Sequence, residues 1–572
     1  MLFISITKNN QEQLHMRQLF KSNVFLKSVI AGSLSLCLMS PVSASDRPSE
    51  EEASAFLMAA SFGPTQDSIR EVVNNGYSAW FRDQTRIRIN TILSETNPTF
   101  ADTSTFRWET IPRQVWFDRA VNGRDQLRQR AAWALSQIFV VSTESREVTF
   151  KSHLHASYMD IMQRGAFGNF RDILGDVTYS PLMGEWLTYI GNERENPETG
   201  SMPDENYARE IMQLFTIGLV ELNNAGNPRN DPPRETYTQD DVIELSQVFT
   251  GLWWADLPFG EGETRIARRN IDIQPMVMHN AFHDRTPKTF LGTTIPGGIR
   301  GNASINRALD HLFAHRNVAP FISRQLIQRM TTSNPTNGYV RRVVRAFNTG
   351  NYTLPDGDEI GSGERGDMEA VFAAIIFDVQ ARRADRVDNE QFGKVREPLI
   401  RFLHWARASN INRVRVLSDS NFDRDGTTTT LGQNPYRAES VFNFFRPGFV
   451  AAGTTTADQG LLAPELQIVT SATAINYPNF MQEHVLRDNN ANWNPRYNDQ
   501  IRLANDPEAL TEHLDLVMTG GRMTTRTKQA VRETIESVEI RGNARARDRQ
   551  LRDRVQLAML LTVNSQEYNT QQ

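Results

Sequence analysis

From Pro203 to Gly218 the chain reads Pro-Asp-Glu-Asn-Tyr-Ala-Arg-Glu-Ile-Met-Gln-Leu-Phe-Thr-Ile-Gly, and a helix sorts these residues into two unlike faces. Asn206, Arg209, Glu210 and Gln213 recur at i, i+3, i+4 and i+7 and align as one narrow polar stripe. Tyr207, Ile211, Leu214 and Gly218 take core-facing spacing on another face. The same period governs most of the chain. Residues 125–141 place Leu127, Ala131, Ala134, Leu135 and Ile138 on one side. Thr238 is a good N-cap, with Asp241 three residues on to complete a capping-box-like start, and Val242, Leu245, Val248 and Phe249 form the buried stripe that follows. Helices are expected as well at 49–61, 64–84, 158–162, 181–190, 304–314, 319–330, 340–347, 367–377, 398–407, 464–473, 506–518, 525–538 and 547–563. Neither a β-α-β alternation nor runs of period two appear. The expected class is therefore all-α: a multi-helix globular domain with long irregular loops and little or no β. The longest connection runs from 255 to 300.

Residues 1–44 read as a cleaved signal peptide. Lys21 and Lys27 supply a basic start, 29–39 is an apolar run too short to span a bilayer, and Val42-Ser43-Ala44 is a small-x-small cleavage site before Ser45. Cys37, the chain's single cysteine, lies inside this segment, and the bulky Leu36 before it argues against lipidation. The mature chain is expected in the periplasm or secreted, without disulfides, so its stability must come from core burial. Residues 45–572 are expected to form one large helical domain, with two packed helical subdomains as the alternative. No later segment is apolar enough to span a membrane. The net charge is −5 with acids and bases interspersed, which points away from nucleic acid. Only seven of the 62 basic residues are lysine, so the internal Lys151, Lys288, Lys394 and Lys528 stand out from the arginine background.

The polar stripe carries the main chemical candidates. Glu210 has the chemistry of a general acid/base, Arg209 that of a grip on an anionic group, and Asn206 lies beside them; Asp240 or Asp241 would offer a second carboxylate. The competing reading is structural, because Glu205 and Arg209 are an i, i+4 helix pair in the better orientation. In the long loop, His279, His283, Asp284 and Lys288 are costly to bury unless paired. They are expected to fold across the stripe, with Lys288 against Glu210 or Asp241. His279 and His283 are four apart, but Pro275 and Pro287 flank them, and no third metal ligand is identifiable. Asn421 to Gly426 resembles half a calcium loop, yet Gly432 occupies the twelfth position, where a bidentate glutamate belongs. Trp253-Trp254 reads as core packing, with sugar stacking as the alternative. Serine-hydrolase, phosphate-loop and dinucleotide fingerprints are absent, and no cofactor is expected.

Several blocks together resemble a bacterial family designated domain of unknown function eighteen hundred. They are Phe56-Leu57 with Ser61-Phe62-Gly63-Pro64-Thr65, Leu127 to Arg130, Ala134 to Phe139, the 203–218 helix, Tyr237 to Val242, and Phe249 to Leu252. His283-Asp284 with Pro287 to Gly292, Lys394 to Pro398, Ser440 to Phe445, and Ala463-Pro464-Glu465 complete the match. Arg396-Glu397 stands where the family more usually has another pair. The resemblance implies an exported, mainly helical protein whose gene often neighbours that of a sulfatase-like exported protein, a candidate partner. Two functions follow: a helical protein working with an envelope or secreted partner in handling or export of a surface polymer, or an enzyme acting on an extracellular polymer through the Asn206/Arg209/Glu210 cleft.

Overall fold

The computed structural model describes residues 46–96, 110–143, 152–255, 273–382, 389, 391–411, 414, 430–486 and 493–572. The segment 1–44 expected to be a signal peptide, the calcium-like stretch 421–426 and part of the long loop lie outside these residues. Helices dominate, and the β structure among the described residues is four antiparallel two-stranded pairings. One of these lies within the 255–300 connection, Lys288–Phe290 with Thr293–Ile295, and another ties it to the residues just before it, Leu252–Trp253 with Val277–Met278. The described part of the loop, 273–300, thus carries regular pairing that its lack of periodicity did not suggest. A three-residue strand is too short for alternation to announce it.

Met368–Ile376 is apolar on nearly every side and accordingly buried along its whole length. Gln126–Ser136 is buried around its full circumference too, although it carries Gln126, Arg128, Gln129 and Arg130. A single buried face was expected there. The difference arises because its polar side chains reach backbone carbonyls inside the protein: Arg128 bonds to those of Gln163 and Thr85, and Arg130 to that of Arg329. Val318–Met330 packs against both of these helices. Pro398–Ala408, started by Pro at its first turn, adds Phe402, Leu403 and Trp405 to the same core. The C-terminal strand Thr570–Gln571 pairs with Lys394–Val395. Gln571 Nε2 then donates to the Met330 carbonyl at 2.8 Å. No helix among the described residues is long and apolar enough to cross a membrane.

The 203–218 segment is helical from Asn206 to Gln213. Asp204 Oδ1 accepts from the Asn206 N–H at 2.8 Å at its start. At its end the N–H groups of Ile217 and Gly218 both reach the Met212 carbonyl, at 2.9 and 3.0 Å. Gly218 closes the turn at φ +69°, where a Cβ would sit 2.6 Å from the Phe321 ring. Tyr207, Ile211 and Met212 are buried, with Tyr207 stacked on Tyr189 at 4.0 Å. Leu214 is only partly buried at the edge of this core.

Candidate functional site

The polar stripe lies on the surface and is tied to its neighbours by hydrogen bonds. Asn206 Nδ2 donates to Thr188 Oγ1 at 2.8 Å, and Thr188 Oγ1 donates to Asp204 Oδ2 at 3.0 Å. Arg209 Nη2 lies 2.9 Å from Glu205 Oε2 and 3.1 Å from Gln239 Oε1. Gln239 Nε2 closes the triangle onto Glu205 Oε2 at 2.7 Å. Gln239 opens the next helix, Gln239–Val248, whose N-terminus Thr238 and Asp241 cap reciprocally as expected. The Glu205–Arg209 pair is thus also a clasp between two helices. Tyr237 Oη donates to Gln213 Oε1 at 2.9 Å on the same side.

Glu210 differs from the rest of the stripe. Its Oε2 is buried and has no hydrogen-bond partner. Burial raises its proton affinity above the usual carboxylate range, and the neighbouring Arg209 only partly opposes this. Such a carboxyl retains a proton more readily than a solvated one, which suits an acid/base role.

His283 and Lys288 do not join this stripe through any hydrogen bond or ion pair. His283 is 1% exposed; its Nδ1 lies 3.0 Å from the Thr250 carbonyl, while its Nε2 has no partner. Burial lowers its pKa, holding the ring neutral. Asp284 N–H donates to Thr250 Oγ1 at 2.8 Å. Gly251 makes this approach possible: at φ +84°, a Cβ there would stand 2.8 Å from the His279 carbonyl oxygen. Lys288, also 1% exposed, donates to the carbonyls of Asp284 and Thr286 at 2.6 and 2.9 Å. It pairs with Asp284 Oδ1 at 3.2 Å. Burial pushes the Lys288 pKa down, with Asp284 and Glu244 opposing. Burial would raise Asp284, but the Thr286 hydroxyl and N–H and the Lys288 ammonium outweigh it and hold it low.

Lys288 therefore pairs within its own loop, where Glu210 or Asp241 had been expected. The loop does fold onto the Thr238-capped helix, but through backbone amides. Asp241 Oδ1 accepts from the Leu291 N–H at 2.7 Å, and Glu244 Oε2 from the Thr289 N–H at 2.7 Å. Trp253 and Trp254 are 6% and 0% exposed, so neither ring offers a face for stacking a sugar. Among the described residues, no group of three or more His, Cys, Asp or Glu is placed to hold a metal ion.

A second polar centre lies in the core, assembled from blocks on which the sequence reading placed no chemistry. Glu397 is fully buried, and its Oε2 accepts from Trp133 Nε1, Gln137 Nε2 and Gln433 Nε2 at 3.2, 2.6 and 2.7 Å. Its Oε1 has no partner. Lys394 donates to the carbonyls of Gln328 and Arg329, both at 2.9 Å. Its Nζ also lies 2.8 Å from Glu465 Oε1, a buried ion pair. Arg130 Nη2 donates to the same Arg329 carbonyl at 2.5 Å. Arg329 in turn reaches the carbonyls of Gln325 and Gln137 at 3.1 and 3.0 Å. Burial lowers the pKa of Arg130 and Arg329 to about 10 and raises that of Glu465. One signal in the sequence pointed here: Lys394 is one of the few lysines, in a chain whose default cation is arginine.

A family model described as "Protein of unknown function (DUF1800)" matches residues 55–570. No curated protein and no solved structure matches the chain.

Proposed function

The chain belongs to the DUF1800 family of proteins of unknown function, and from that premise we propose that it is an exported helical protein working with an envelope or secreted partner in the handling or export of a surface polymer. The Asn206/Arg209/Glu210 face is its contact surface. One observation carries this reading: Asn206 is exposed, Arg209 is partly exposed and braced across two helices by the Glu205–Arg209–Gln239 triangle, while His283 and Lys288 are closed into a separate loop. The stripe is also bracketed in sequence by Met202 and Leu219, each 56% exposed. Exposed apolar residues beside a braced polar face suit protein–protein contact. Periplasmic or secreted placement rests on the basic start, short apolar run and Val42-Ser43-Ala44 site of the leader. A sulfatase-like exported protein is the partner that the family resemblance suggests.

Crosslinking on the native envelope, with wild type and Arg209→Glu side by side, tests the contact. A defined partner is expected on the wild type and absent from the folded variant; equal capture by both would overturn the reading. Mature protein beginning at Ser45 is expected from N-terminal sequencing, and an intact cytosolic chain would refute export.

The unpartnered, half-buried Glu210 favours a second reading, an enzyme on an extracellular polymer with Glu210 as acid/base and Arg209 and Asn206 as substrate contacts. Glu210→Gln would then abolish turnover of a polysaccharide while leaving the melting temperature near that of wild type.

A further inference from the structure

The interior cluster has more buried positive charge than its own carboxylates offset. Arg130, Arg329, Lys394, Glu397 and Glu465 are all 6% exposed or less. Lys394 pairs with Glu465. The arginines Arg130 and Arg329 then face the single remaining carboxylate, Glu397, and neither hydrogen-bonds to it. The hydrogen bonds of both guanidiniums go to backbone carbonyls. Arg130 Nε and Nη1 and Arg329 Nε have no hydrogen-bond partner in the protein. A fastening network normally satisfies its donors, because each buried unsatisfied group costs about 1–3 kcal/mol and more when charged. Here Arg130 shares one carbonyl, the Arg329 oxygen, with the Lys394 ammonium, while the Arg329 guanidinium reaches the carbonyls of Gln325 and Gln137.

We propose that this cluster is an internal binding site for a small oxyanion, phosphate or carboxylate. Arg130 and Arg329 supply the N–H donors, and Lys394 adds charge. Guanidinium forks match the oxygens of both groups, and desolvated charge-assisted bonds of this kind are strong. Glu397, held through one oxygen by Trp133, Gln137 and Gln433, sets the limit on anion charge that the site tolerates. Trp133 places an indole against Glu397 and gives the site an optical reporter. The site is separate from the surface stripe, so its failure would leave the partner reading untouched.

The test uses the full mature chain with inorganic phosphate and acetate as separate probes and sodium chloride at matched ionic strength as control. A saturable rise in melting temperature is expected with at least one probe and not with chloride. It should come with a change in tryptophan fluorescence that Trp133→Phe removes. Arg130→Met should weaken binding about tenfold or more, as loss of a charge-assisted contact does. Without probe, Arg130→Met should melt no lower than wild type, since it removes an uncompensated buried charge and leaves the Arg329 carbonyl its Lys394 donor. Glu397→Gln should tighten binding, because it removes a repelling charge. A rise with phosphate alone, or with acetate alone, assigns the oxyanion class. No saturable shift, a shift reproduced by chloride, or Arg130→Met melting far below wild type without probe would each overturn the proposal. So would Arg130→Met and Glu397→Gln moving affinity in the same direction.

Discussion

The surface stripe around Arg209 and the buried cluster around Glu397 use the same side-chain types under opposite solvent conditions. On the stripe, Glu205 and Arg209 are about a third exposed, at 35% and 38%, and share Gln239 as a common partner. Water compensates whatever those bonds leave over, so each interaction contributes little and each residue is free to serve contact with another molecule. In the cluster the side chains are buried away from bulk solvent. Glu397 gathers three donors on one oxygen and leaves the other unpartnered, and Arg130 leaves two nitrogens unpartnered. The contrast teaches that the number of polar contacts is a poor guide to energy; the completeness of each group's bonding under burial decides it.

The largest break in that comparison is expected from Glu397→Ala. It orphans the buried N–H groups of Trp133, Gln137 and Gln433 and should cost about 3–5 kcal/mol, read as a fall in the urea midpoint. Lys288→Ala comes next. It removes a buried ammonium from two carbonyls and from Asp284, for about 2–3 kcal/mol. Amide exchange should accelerate first at residues 283–290, because the knot is local. A smaller effect is expected from pH. Burial raises the Glu465 pKa above its ordinary 4.5, so the folded state holds this proton more tightly than the unfolded one. The stabilisation is fully present below 4.5 and lost as pH rises through the raised value; Glu465→Gln should flatten that slope in melts taken across pH 4 to 8. Arg209→Ala is expected to be the mildest, at about 0.2–1 kcal/mol, with its effect appearing in partner capture instead. A loss several times larger would show that the triangle is structural.

Local features were legible wherever neighbours in sequence are neighbours in space. The Thr238–Asp241 box, the Glu205–Arg209 pair and the buried Tyr207 and Ile211 follow from helical spacing alone. The hairpin at Lys288–Ile295 was not legible, because its strands are too short for a period to show. Lys288 was expected to meet a carboxylate and does, but the partner is Asp284, four residues away, where the expectation looked to another helix. Glu397 was passed over because its partners Trp133, Gln137 and Gln433 come from distant blocks, and no spacing connects them.

Taken alone, the amino-acid sequence determined the all-α class, the two-faced helix after Pro203, its capped successor and the family, since each depends on residues a few positions apart or on the order of short blocks. Whether a polar side chain meets water or the core was settled only by long-range packing. Arg130 and Arg209 are the same residue on helices that each mix polar and apolar positions in sequence, yet one is 1% exposed and the other's side chain is 38% exposed. Burial is a property of everything packed around a residue, and the dielectric that sets the strength of each charge comes with it.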